Sequence, residues 1–226
     1  MPIDITDLVH PSHTAVVINE CQQGVLGEHS SLAAIAEETR WILPNVARLA
    51  QGARAAGADV FHALATRRAD GRGGRTDLLV ARHVGAGGPA LTPEEFAAVM
   101  PEIGVEASDF VVTRYGGMGG LSSSGAVATL RNLGTKTLVL AGVTLNAGVL
   151  SMMMYGLDEG FNVVVTSDAS GGFPRSYGED VLRYTIRPFA PIATVEEVLA
   201  AWNRVGAGAA GGTAGTAGSA GDAVSR

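Results

Sequence analysis

Cysteine is nearly absent from this sequence of 226 residues, which contains only Cys21. A single cysteine allows no disulfide within the chain and no zinc site built from several thiolates, and it is typical of a reducing compartment. Basic residues are also scarce, since 16 Lys and Arg stand against 22 Asp and Glu and give a net charge of -6. We therefore expect no nucleic acid or acidic lipid surface as a partner, and we expect a small-molecule substrate instead.

Long apolar runs are missing as well. No window reaches the length needed to span a bilayer, and the opening residues MPIDITDLVHPSHT show no basic segment followed by an apolar one. These absences predict a cytoplasmic protein without a membrane partner. The five histidines are scattered without the spacing of paired metal ligands, so we predict no metal. The glycines of RRADGRGGR do not open a helix after a strand, and no nucleotide or other cofactor is expected.

Short stretches rich in β-branched residues alternate with helical patterns along the chain. The strands are predicted at 14–20, 58–66, 109–114, 135–143, 162–169 and near 192–195. This alternation predicts an α/β fold, in which a doubly wound, mostly parallel six-stranded sheet carries helices on both faces. Residues 1–205 are expected to form one domain. The Gly/Ala-rich residues 206–226 lack an apolar face and are predicted to be a disordered tail.

Polar residues follow three of the predicted strands. Parallel sheets bind ligands beyond the carboxyl ends of their strands, where Glu20, Arg114 and the turn at 143–148 would lie. A carboxylate and a guanidinium in one pocket can transfer protons and stabilise charge. The same positions also suit a structural ion pair at the rim of the sheet, and strand positions alone favour that interpretation.

Four stretches, in this order and spacing, carry a family resemblance: VVINECQQGVLG, VVTRYGG, LRNLGTKTLVLAGVTLNAGV and MYGLDEGFNVVVTSDA. From residue 14 to about residue 202 the chain resembles the isochorismatase-like hydrolase superfamily. The resemblance implies the three-layer fold of that superfamily. It also implies a homodimer or homotetramer, with which the methionines of SMMMY (151–155) are consistent because soft side chains are common at subunit contacts.

Most members of that superfamily use an Asp, a Lys and a Cys that attacks an amide carbon, and these positions fall on Glu20, Arg114 and Gly148. A glycine offers no nucleophile, so a covalent mechanism is not expected. Isochorismatases resemble this chain in carrying glycine there, and they cleave a vinyl ether to pyruvate and a dihydrodiol. The resemblance thus implies a hydrolase in which Glu20 is acid or base, Arg114 stabilises charge and backbone N–H groups near Gly148 assist.

Further residues are predicted to contact the substrate: Gln22, Tyr115, Met118, Val143, Thr144 and Asn146. The resemblance also implies a cis peptide between Val143 and Thr144, and it places Asn146 where isochorismatases often carry His. Cys21 should point away from Glu20 and pack as a small apolar residue. Two alternatives stay open. Gly148 is equally suited to close packing of a helix on the sheet, and the three departures from the common pattern also suit a catalytically silent member that binds a small molecule or another protein.

Overall fold

The computed structural model describes residues 4–73 and 91–212. The strands are β1 (Thr14–Asn19), β2 (Asp59–Ala65), β3 (Phe110–Arg114), β4 (Thr137–Val143), β5 (Asn162–Gly171) and β6 (Ile192–Ala193). The α-helices are α1 (Gln23–Leu26), α2 (Ala33–Thr39), α3 (Leu43–Ala56), α4 (Pro93–Ala97), α5 (Ala126–Asn132), α6 (Leu150–Asp158), α7 (Arg175–Asp180) and α8 (Val195–Gly212). Two segments are π-helical: Leu145–Val149 directly precedes α6, and Val181–Ile186 directly follows α7. Short 3₁₀ turns lie at Pro11–His13 and Arg40–Ile42.

All six strands pair in parallel in the order β3-β2-β1-β4-β5-β6, which confirms the predicted sheet. The chain begins in the middle at β1, builds outward through β2 and β3, and then returns to the other side of β1 as β4. The strand order therefore reverses between β1 and β4. Open α/β sheets bind their ligands in the crevice at such a switch point.

Two hydrophobic clusters cover the two faces of the sheet. Along β1, Val16 and Ile18 join one cluster with apolar residues of α3 and α8, whereas Ala15 and Val17 join the other with residues of α5 and α6. This alternation follows from the two-residue period of a strand, and helices on both faces explain why all of β1 is buried. The predicted three-layer arrangement is confirmed.

The methionines of α6 belong to the core. Met152 and Met153 are fully buried, and the partly buried Met154 packs against the same cluster. Core packing thus accounts for these residues, and the homodimer or homotetramer stays a prediction without their support. No helix among the described residues is both long and apolar enough to cross a bilayer.

Helix α8 continues to Gly212, past the predicted boundary at 205 and 206, and the division into a domain and a tail stays a prediction. The buried Trp202 anchors this helix by donating its Nε1–H to the Val9 carbonyl at 2.7 Å. Extending an existing helix costs less than starting one, so the helix continues through the Gly/Ala-rich residues 206–212. The rest of the predicted tail lies outside the described residues.

Candidate active site

The carboxyl edge of the sheet brings Glu20 and Arg114 together although β2 lies between their strands. Arg114 is the last residue of β3 and Glu20 directly follows β1. On the face of the sheet that Arg114 shares, the end of β2 carries the small side chains of Ala63 and Ala65. The Glu20 N–H donates to the Ala63 carbonyl at 2.9 Å. Small side chains on the middle strand leave room for the ion pair across it.

Glu20 has a left-handed backbone with φ of 51°, which no other non-glycine residue in the described part of the chain adopts. This conformation is unfavourable for a side chain longer than that of Asn or Asp. It ends the regular alternation of β1, in which Asn19 shares a face with Val17. The break explains how Glu20 meets Arg114 directly instead of following the alternation to the opposite face.

Arg114 is almost fully enclosed, with 5% of its side chain exposed, against 20% for Glu20. Its Nη2 pairs with Glu20 Oε1, and its Nε donates to the Gly117 carbonyl at 3.2 Å. Burial raises the pKa of Glu20 above its ordinary value, and the Arg114 guanidinium partly offsets that effect. In the described residues Arg114 Nη1 is buried without a hydrogen-bond partner.

Gly148 lies in the turn that joins β4 to α6, at the switch point beside β1. A Cβ at this position would overlap the side-chain amide of Asn19, and it would lie 3.3 Å from the Val143 carbonyl oxygen. Asn19 is fully buried and donates its Nδ2–H to that same carbonyl. Gly148 is therefore required by the space that Asn19 fills. The close packing expected at this position is between the turn and the Asn19 side chain of β1.

The turn itself begins with the expected cis peptide between Val143 and Thr144. The N–H groups of Ala147 and Val149 both donate to the Thr144 carbonyl, at 3.1 and 3.0 Å. The amide of Asn146 binds the backbone of Phe173 twice, because Nδ2 donates to its carbonyl at 3.0 Å and Oδ1 accepts from its N–H at 3.1 Å. Asn146 thus fixes the segment after β5, and its contact with a substrate stays a prediction.

Gln22 also has a structural role. Its side chain exchanges two hydrogen bonds with the backbone of Ala65, at 2.8 and 2.9 Å, and donates a third to the Phe96 carbonyl at 2.7 Å. Gln22 is fully buried, so it ties the end of β1 to the end of β2 and to α4. By contrast, Tyr115 and Met118 are exposed by 58% and 45%, and the Met118 carbonyl accepts from Arg114 Nη2 at 3.4 Å.

Cys21 is buried in the cluster that contains α3 and α8, as expected. Burial and the neighbouring Glu20 raise the pKa of its thiol, so the thiolate is disfavoured. Over residues 4–73 and 91–212, no group of three or more His, Cys, Asp or Glu residues could hold a metal ion.

Sequence reasoning missed Asn19. It is a polar residue at the end of an otherwise apolar strand, and a buried amide in such a place must find partners. That pattern singles the residue out, but only the path of the turn after β4 shows that its partner is the Val143 carbonyl.

The Isochorismatase domain family matches residues 14–197, and the chain belongs to this family. The uncharacterized isochorismatase family protein YecD of Escherichia coli O157:H7 is 27% identical over 193 residues, which cover 83% of this chain and 95% of YecD. The uncharacterized family protein YwoC of Bacillus subtilis (strain 168) is 31% identical over 113 residues, 50% of this chain and 59% of YwoC. A solved structure of an isochorismatase family protein from Burkholderia thailandensis superposes with a TM-score of 0.69 at 26% identity, over 85% of this chain and 96% of that one.

Proposed function

We propose that the chain hydrolyses a small molecule without forming a covalent enzyme intermediate. The observation that carries this proposal is the geometry at the switch point: an enclosed Glu20–Arg114 pair lies beside a turn where the nucleophile position is Gly148 and the adjoining space is filled by Asn19. General acid–base chemistry needs a carboxyl group such as that of Glu20. Covalent catalysis needs a nucleophilic side chain, which Gly148 lacks.

The substrate class that suits such a site is a vinyl ether such as isochorismate, or a related C–O or C–N bond. Protonated Glu20 gives its proton to the enol carbon, and the ether oxygen stabilises the resulting oxocarbenium ion. Water adds to the neighbouring carbon, which bears the ether oxygen, and its extra proton passes to the Glu20 carboxylate. The hemiketal formed there then separates into a keto acid and an alcohol. The raised pKa of Glu20 favours the protonated form that this sequence begins with.

Arg114 supports the same chemistry in two ways. Its Nη2 pairs with the carboxylate that Glu20 becomes after proton transfer. Its buried Nη1 has no protein partner in the described part of the chain and is available for a negatively charged oxygen of the substrate. An unsatisfied buried donor is costly, so a ligand that satisfies it gains affinity.

The test is a product-detecting mass-spectrometry screen of the purified protein against isochorismate, other enol ethers, amides and ureides. The variant Glu20→Gln cannot donate the proton, and we expect it to lower kcat about 100-fold or more. Glu28→Gln removes the same charge at an exposed position and should leave kcat unchanged. Turnover of an amide, or full activity in Glu20→Gln, would contradict the proposal. Binding of these ligands without turnover would favour the catalytically silent alternative.

A further inference from the structure

The side chain of Asn19, the last residue of β1, reaches the turn at the switch point. It lies on the face that α5 and α6 cover, and its carboxamide is fully enclosed. The hydrogen bond to the Val143 carbonyl fixes which end of the amide is the donor. Nδ2 therefore faces the turn, and Oδ1 faces the opposite way.

Two glycines confine this amide. A Cβ at Gly120 would lie 3.0 Å from Oδ1, 2.6 Å from the Ala63 Cβ and 3.2 Å from the Met152 sulfur, while a Cβ at Gly148 would overlap Nδ2. Neither glycine has a positive φ. Space, and not backbone conformation, is what requires glycine at these two positions.

The enclosure costs the protein a hydrogen bond. Within the described part of the chain Oδ1 is buried without a partner, and an unsatisfied acceptor disfavours folding. A residue kept only for stability would not leave an acceptor unpaired in the core. The role of Asn19 is therefore better inferred from where its amide lies than from the hydrogen bonds that the amide makes.

We propose that Asn19 is a positioning residue that occupies the space of the nucleophile's side chain, so that Asn19 and Gly148 form a coupled pair. Asn19 leaves no room for a side chain at position 148, and it supports the turn through the Val143 carbonyl. It thereby excludes a covalent intermediate at this position. This inference deepens the proposed function and rests on it only for the identity of the reacting site. A cysteine restored at position 148 fits only when the Asn19 side chain is shortened.

A double-mutant cycle tests the coupling through the melting temperature. Gly148→Ala in the wild-type background should lower Tm by about 5 °C or more, because the new methyl group meets a confined amide. In the Asn19→Ala background the same substitution should have no such effect. Gly156→Ala, in α6, is the matched control: its Cβ would meet Leu138 and Val163 at 3.1 and 3.3 Å, so its effect should be equal in both backgrounds.

Failure of Gly148→Ala to fold, with recovery in the double variant, supports the coupling equally. An equal loss of Tm from Gly148→Ala in both backgrounds would overturn it, and so would a double variant that fails to fold while Asn19→Ala folds. Either result would mean that the glycine is required by other neighbours.

The second measurement asks whether the vacated space belongs to the reactive site. In the folded Asn19→Ala/Gly148→Cys variant, the new thiolate should attack iodoacetamide: an S–C bond forms, the C–I bond breaks, iodide leaves and the thiol proton passes to the buffer. Peptide mass spectrometry should find the adduct at position 148 and not at the buried Cys21. A folded variant that stays unmodified at 148, yet reacts fully in urea, would overturn the positioning role. No substrate is used, so failure of the substrate screen would leave both results interpretable.

Discussion

Glu20 combines two unfavourable properties, a left-handed backbone and a carboxyl group that is largely shielded from solvent. Left-handed conformation costs a residue of this kind about 1 kcal/mol, and burial of the carboxylate adds to that cost. The Arg114 guanidinium offsets part of the electrostatic penalty. Such strain is found where surrounding structure holds a side chain in one place, which suits a proton donor.

A second buried charge cluster lies at the amino end of β3, away from the site. Asp109 accepts from Arg54 at 2.6 and 3.1 Å and from His62 Nε2 at 3.0 Å. Removing one member leaves an uncompensated charge, so Asp109→Asn should lower the free energy of unfolding by about 3 kcal/mol in urea titrations. Asp70→Asn breaks an exposed pair with Arg68 and should leave the midpoint unchanged. Equal midpoints for both variants would contradict a structural role for the cluster.

At this scale the sequence predicts residues whose role follows from strand position. Glu20 and Arg114 could be paired from strand ends and resemblance. Cys21 is buried as expected, but the alternation behind that expectation ends at Glu20, so its position in the cluster of α3 and α8 could not be predicted. Gln22 and Asn146 could not be assigned their structural contacts, because each binds the backbone of a distant segment, Ala65 or Phe173. A long-range contact of this kind depends on how loops pack, which no local pattern encodes.

Among elements, the turn from β4 into α6 depends on a neighbouring segment for its shape. Asn146 is the link, since it binds both backbone groups of Phe173. Asn146→Asp keeps the shape but replaces a donor with an oxygen that faces the Phe173 carbonyl. We expect a Tm lower by roughly 5 °C, measured by thermal unfolding. Asn162→Asp, at the exposed start of β5, is the control, and a loss of similar size there would argue against the link.

The elements themselves are well predicted where apolar residues are dense, as in β1, β2, β4 and β5. The π-helical form of residues 145–149 could not be predicted, because apolar periodicity does not distinguish a π-helix from an α-helix. The extension of α8 beyond residue 205 could not be predicted either. A helix without an apolar face looks like a loop in the sequence, although continuity with a packed helix stabilises it.

For the whole molecule, the pH dependence of stability follows from His62. Burial lowers the pKa of His62 below its ordinary value of 6.5, partly offset by Asp109. Below about pH 6.5 the unfolded chain binds a proton that the folded chain does not, so the free energy of unfolding falls as pH falls. Asp109, whose burial is outweighed by its hydrogen bonds, has a lowered pKa, and its contribution is lost only below the ordinary 3.8. The raised pKa of Glu20 has the opposite effect to that of His62, since it makes the free energy of unfolding fall as pH rises.

Urea titrations at about pH 7.5 and about pH 5.5 isolate this contribution. His62→Gln keeps an N–H near Asp109 but does not titrate. Its free energy of unfolding should therefore fall less between the higher and the lower pH than that of the wild type. His29→Gln, at an exposed position, should behave like the wild type. A His62→Gln variant with an unchanged difference would contradict this assignment.

The central claim is that hydrolysis begins with proton transfer from Glu20 to carbon. Turnover of an enol ether in D₂O, followed by mass spectrometry of the keto acid, tests it most directly. The account predicts one deuterium on the methyl carbon of the keto acid per turnover. It predicts none when the keto acid itself is incubated with the protein in D₂O, and no product in Glu20→Gln. Product without carbon-bound deuterium, or a covalent adduct on the protein during turnover, would contradict it.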